Sequence, residues 1–304
     1  MTAREPQVLV EDKPDRSRGL LLTCIYLVSF AILIWFFVDG YSYYMSPYTE
    51  RPHEELYRVL RPAGSRGLLF GYAGAIMMVL MLTYTLRKRT RLIGRSVTLR
   101  SLLDFHIYFG VVGPFFIVLH TSFKVQGLVA VSFWSMVAVA ASGYFGRYLY
   151  QQIPRNLVGA ELTLQDVESE NTRMTTQIQQ RFALDDDTMR RIEHMFERAM
   201  VHNHKWALAS VMALVFDDIM RPFTKASLRH QLKKIVVLPQ GRQSELFDIS
   251  FRRALLRRRI ILLGQVQALF HYWHVIHKPF AIVMYVIMGI HIGVAIWTGY
   301  GWIR

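Results

Sequence analysis

Five stretches of this chain, residues 19–38, 67–86, 105–123, 127–146 and 279–301, contain no Asp, Glu, Lys or Arg. Crossing the hydrocarbon core of a bilayer takes about 20 apolar residues, and each stretch is close to that length. Lipid offers no partner for a free backbone amide or carbonyl, so each run must close its own hydrogen bonds as an α-helix. The predicted fold class is therefore all-α, an integral membrane helical bundle of five spans with a helical insert. Composition agrees: of 304 residues, 52% are hydrophobic and 19% charged, against about 25% charged in a soluble domain. The first run is too long for a signal peptide and lacks a small-residue cleavage site, so it reads as an uncleaved span.

Basic residues predict the orientation. Residues 87–100 carry Arg87, Lys88, Arg89, Arg91, Arg95 and Arg100 and no acid, whereas the short loop after the third span carries Lys124 alone. The positive-inside rule places the former in the cytoplasm and the latter outside, with the N-terminus inside and the C-terminus outside. Tyr41, Tyr43, Tyr44 and Tyr48, and Trp297, Tyr300 and Trp302, then fall at the outer interface. The net charge of +14 is mostly this topology signal together with attraction to a membrane surface. It does not read as nucleic-acid binding, because the basic residues are not interleaved with aromatic side chains on a soluble face.

The chain divides into residues 1–150 (spans one to four), 151–259 (a cytoplasmic helical insert) and 260–304 (a long helix leading into span five). Within the insert, Thr163 with Asp166 resembles a capping box. Asp185, Asp186 and Asp187 precede Met189, Ile192, Met195, Phe196 and Met200, an apolar stripe at helical spacing. Pro239-Gln240-Gly241 is a turn signal. Phe251, Leu255 and Leu256 alternate with Arg252, Arg253, Arg257, Arg258 and Arg259, which predicts a basic amphipathic helix on the inner membrane surface. The uncharged run 260–276 is almost long enough to span. It leaves only Lys278 and Pro279 as a turn before the last run, so one continuous helix is expected.

Cysteine and glycine motifs exclude several chemistries. Cys24 is the single cysteine, which excludes a disulfide scaffold, a four-cysteine zinc or iron–sulfur site and a C-x-x-C-H haem attachment. Neither G-x-G-x-x-G nor G-x-x-x-x-G-K-[ST] is present. His202 and His204 have no carboxylate or cysteine neighbour that would make them a metal site.

Four histidines carry the functional signal. His106 and His120 lie fourteen residues apart in the third span, and His277 and His291 fourteen apart in the fifth. Fourteen residues rise roughly 21 Å and fall about 40° short of four turns, so each pair shares one helix face. Both spans run from inside to outside, which sets His106 level with His277 and His120 level with His291. Two rungs of facing imidazoles predict two bis-histidine b-type haems. Gly110 and Gly113, with Gly289 and Gly293, are small enough to let a flat cofactor approach or to let helices pack closely. Pro114 is expected to bend the third span midway, and Ser101 with Asp104 to cap its start. Arg100, Arg147 and Lys278 inside, and Lys124 outside, are candidate partners for haem propionates. His271 and His274 point off the ligand face, His274 remaining a substitute ligand. A haem-free transporter or proton pathway through these histidines, and a plain membrane anchor for a soluble complex, are the competing readings.

The stretch L-L-D-F-H-I-Y-F-G-V-V-G-P-F-F-I-V-L-H (102–120), with H-V-I-H-K-P-F (274–280) and G-I-H-I-G (289–293), resembles the ferric reductase-like transmembrane cytochromes b. That superfamily includes NADPH oxidases and ferric reductases and holds two haems between its third and fifth helices. The resemblance implies His106, His120, His277 and His291 as ligands. Eukaryotic members continue into a flavin and nicotinamide domain, whereas this sequence stops just after span five. Arg221-Pro222-Phe223-Thr224 is similar to the H-P-F-T flavin signature, but arginine stands in place of histidine and no strand pattern surrounds it. The resemblance implies the electron-transfer subunit of an oxidoreductase complex in a bacterial cytoplasmic membrane. Its partners would be a cytoplasmic flavoprotein or iron–sulfur protein, and an outer c-type cytochrome or a quinone.

Overall fold

The computed structural model describes residues 16–90, 98–153, 164–200 and 207–302. Those residues are helical and contain no strand. The helices are α1 (Arg16–Asp39), α2 (Tyr41–Met45), α3 (Tyr57–Leu60), α4 (Ser65–Arg89), α5 (Leu99–Thr121), α6 (Leu128–Gln152), α7 (Leu164–Phe182), α8 (Asp186–Met200), α9 (Ala207–Ile235) and α10 (Gln240–Trp297). Five of them, α1, α4, α5, α6 and α10, are long and apolar enough to cross a membrane. The chain forms two compact units, residues 14–145 with 274–304, and residues 146–273. The uncharged run 260–276 is one continuous helix with the last span, as its length and short following turn predict.

In the first unit α4 packs along α5. Gly74 makes this possible: a Cβ there would lie 2.7 Å from the Ile117 side chain. Association of apolar helices in lipid depends on such close packing, because lipid tails are as apolar as the side chains they would replace. The Tyr285 hydroxyl donates to the Met78 carbonyl (2.6 Å), and Tyr72 to that of Gly301. Rising positions on α4 therefore meet falling positions on α10. The Ser132 hydroxyl donates to the Met284 carbonyl (3.0 Å), bringing α6 against α10. At one end, the segment between α1 and α4 folds over a buried arginine. Arg51 donates to the carbonyls of Ser46 (3.0 Å), Tyr44 (2.8 Å) and Ser122 (2.5 Å). Its guanidinium also lies 4.3 Å from the centre of the Tyr48 ring.

The second unit has its own core. Met189, Ile192, Phe196 and Met200, the predicted stripe of α8, are buried with Leu228 and Leu232 of α9 and Phe247 and Phe251 of α10. Burying each such side chain contributes about 1.5–3 kcal/mol.

Two local expectations need correction. Phe251 and Leu255 sit in this core and Leu256 is buried beside Met174; Arg253 and Arg258 are buried as well, while Arg252 is exposed. Arg253 pairs with Glu193 (2.5 Å), Arg257 with Glu197 (2.7 Å) and Arg258 with Asp218 (2.7 Å). A helical wheel counts charges but does not see acids on neighbouring helices, so this segment is an internal packing helix and not a surface anchor. The Pro239–Gly241 signal marks a helix start, since α10 begins at Gln240 and the Gln243 amide donates to the Pro239 carbonyl (2.9 Å). Arg221-Pro222-Phe223-Thr224 lies inside α9. Thr163, His202 and His204 lie outside the described residues.

Candidate functional site

Helix α5 begins at Thr98, whose hydroxyl accepts from the Ser101 amide (3.2 Å). The cap is thus Thr98 and not Ser101, three residues earlier than the Ser101–Asp104 pattern suggested. From this start α5 carries His106 and His120, with Pro114 between them.

Both rings are seated by α4. His106 Nδ1 lies 3.2 Å from the Met81 carbonyl, and His120 Nδ1 lies 2.8 Å from that of Gly67. Gly67 and Met81 are themselves fourteen residues apart on the antiparallel helix. A carbonyl only accepts, so each Nδ1 carries the proton and each Nε2 keeps its lone pair. Gly71 supplies the room, because a Cβ there would stand 2.7 Å from His120 Nδ1.

His277 is seated by α6. Its Nδ1 is 2.7 Å from the Ser142 hydroxyl, which donates its own proton to the Val139 carbonyl (3.0 Å). The serine oxygen therefore accepts from His277, which leaves Nε2 as the unprotonated nitrogen of this ring.

The rungs form between α5 and α10. The His120 and His291 ring centres are 6.4 Å apart with planes inclined by 61°. His106 lies within electrostatic reach of His277, as does His274. Levels rise together along the two helices, which are therefore parallel. A metal–imidazole bond is about 2 Å long, and a ring nitrogen sits about 1 Å from its ring centre. Two imidazoles gripping one metal from opposite sides thus have centres about 6 Å apart, which is the separation of His120 and His291. Among the described residues no group of three or more His, Cys, Asp or Glu stands together as a metal site. A bare structural metal ion takes four ligands from protein, and these imidazoles come in twos.

The other predicted residues are placed as follows. Gly110 and Gly113 face α4: a Cβ would lie 3.2 Å from Met81 Cε at the first and 3.4 Å from Met77 Cβ at the second. They serve the close approach of α4 and α5. Gly289 and Gly293 have no other group within 4 Å of a Cβ; two residues either side of His291, they lie about 160° round the helix from it. Lys124 and Lys278 are exposed. The Arg147 guanidinium lies 5.8 Å from the centre of the Tyr150 ring, and the Arg100 side chain lies outside the described residues. His271 is exposed.

Sequence reasoning missed Gly67, Gly71, Met81 and Ser142, and also Tyr84, whose ring centre is 5.6 Å from that of His106. The spacing of Gly67, Gly71 and Gly74 along one face of α4 was the available signal. Comparison with known proteins finds no matching family model, no matching curated protein and no matching solved structure.

Proposed function

We propose that this chain is the membrane-embedded, electron-carrying subunit of an oxidoreductase complex, with two b-type haems held between α5 and α10. His106 and His277 would hold one, His120 and His291 the other. The observation that carries the reading is the pairing itself: the His120 and His291 rings stand 6.4 Å apart, His106 lies within electrostatic reach of His277, and three of the four have Nδ1 committed to an oxygen. A ligand histidine that donates its second ring proton to a carbonyl or hydroxyl is fixed in tautomer and orientation. Iron held by a porphyrin and two imidazoles supplies reversible one-electron exchange.

The residues around the rings keep the site dry and rigid. Met78, Met81, Met136 and Met284 are buried together, with Phe109 and Tyr285 packed against them. These side chains belong to the stretches of α4, α5, α6 and α10 that lie between the two rungs. On the orientation read from the basic loop, a flavoprotein or iron–sulfur partner meets the cytoplasmic face. A c-type cytochrome or a quinone meets the outer one.

A proton pathway would need rings free to exchange protons at both nitrogens. Here the Nδ1 protons of His106 and His120 end on amide carbonyls, which do not pass a proton on. The test is the absorption spectrum of the purified chain, oxidised and dithionite-reduced. A b-type spectrum is expected, and its loss by about half in His291→Ala, for one of two sites. Colourless protein that is folded and monodisperse overturns the reading.

A further inference from the structure

Helix α9 is apolar on two faces, and only one of them is used. Ser210, Val211, Leu214, Leu228 and Leu232 are buried within the unit formed by residues 146–273. On the other face Leu208, Met212, Phe216, Ile219 and Phe223 are 58%, 62%, 62%, 62% and 70% exposed. Their spacings of four, four, three and four residues keep them within one stripe about 80° wide. A helix that is apolar all round is buried in its working environment, so water is not the medium this face meets.

The charge at its end indicates what does meet it. The same stripe runs on to His230, Lys233 and Lys234, all exposed. An apolar stripe closed by cationic side chains complements an acyl boundary edged by anionic headgroups. The helix is also tethered to a bilayer on both sides in sequence, because its unit begins within α6 and ends within α10, each of which has a membrane-spanning segment. We infer that α9 lies on the membrane surface, with the stripe from Leu208 to Phe223 sunk to the level of the acyl chains and Lys233 and Lys234 on acidic headgroups. This assigns to α9 the surface role that the arginine-rich segment of α10 does not fill, and it is independent of haem.

The full-length chain in a Cys24→Ser background, with one bimane label on Met212→Cys, Ile219→Cys or, as a reference on α7, Gln177→Cys, tests this. Reconstitution uses phosphatidylcholine vesicles with brominated acyl chains, with or without phosphatidylglycerol. Several-fold quenching at 212 and 219 is expected, with none at 177, and with iodide showing the reverse order. Lys233→Glu with Lys234→Glu should reduce the bromolipid quenching at 219 in the phosphatidylglycerol vesicles, without changing the labels' spectra in detergent. Iodide quenching at 212 and 219 equal to that at 177 overturns the proposal. So does protection from both quenchers, which would mean that a second copy of the chain covers the stripe.

Discussion

The His277 Nδ1 atom lies 2.7 Å from a serine hydroxyl, that of Ser142, whose own hydrogen is already given to Val139. The arrangement selects one imidazole tautomer without any charged group. Ser142→Ala removes this acceptor from the His277 N–H. Loss of such a supporting contact costs about 10–100-fold in metal affinity. We expect Ser142→Ala to lose one of the two proposed haems to excess apomyoglobin, and Ser142→Thr to retain it. Equal retention in both variants would show that the hydroxyl has no such role.

Gly71→Ala places a methyl group where His120 Nδ1 now sits, 2.7 Å away. Neither partner yields easily: one is a helix backbone, the other a ring tied to the Gly67 carbonyl. The expected outcome is loss of the haem assigned to His120 and His291, with that of His106 and His277 spared. Gly143→Ala, where a Cβ meets nothing within 4 Å, should leave the spectrum unchanged. Pyridine haemochrome assays on the two variants make the comparison.

Arg258 is 4% exposed and shares Asp218 with the Tyr148 hydroxyl and the Gln152 amide. Asp218→Ala strands a buried guanidinium, and breaking a buried pair in this way costs about 3–5 kcal/mol. Asp218→Leu combined with Arg258→Met should cost clearly less, since neither charge is then left alone. Thermal or denaturant unfolding of the full chain, followed by tryptophan fluorescence, measures both.

Asp185 precedes α8 and accepts from the Thr188 amide (3.3 Å). The Thr188 hydroxyl and amide hold its carboxyl below the usual carboxylate range. A carboxylate whose pKa is lower folded than unfolded stabilises the fold above the unfolded value, and that contribution fades as pH falls through the folded value. Asp185→Asn should therefore flatten the acid limb of the stability–pH curve while barely altering stability near neutrality, where the amide oxygen still caps the helix.

The spans were legible because lipid leaves an uncharged run of this length one conformation. The His106–His120 and His277–His291 spacings were legible because both members of each pair sit on one helix, where residue number converts directly to angle and height. What failed needed knowledge of a neighbour. The arginines of residues 252–259 read as the basic face of a helix on the membrane surface until Glu193, Glu197 and Asp218 were placed beside three of them. Gly110 and Gly113 read equally as room for a ring or for a neighbouring helix, and only the placement of α4 against them distinguishes the two. Gly67, Met81 and Ser142 act through a backbone carbonyl or a small hydroxyl on other helices, and no local pattern announces which helix lies alongside.

Helix α4 carries no histidine, yet it measures out both rungs, with Gly67 at one level and Met81 at the other. The vertical calibration of the site is thus stored in a helix that contributes none of the four imidazoles. Removing a single residue from 72–80 would turn one carbonyl by about 100° and shift it about 1.5 Å against the other. Both imidazoles could not then be satisfied at once, so length changes in this span should be as damaging as losing one of the four histidines.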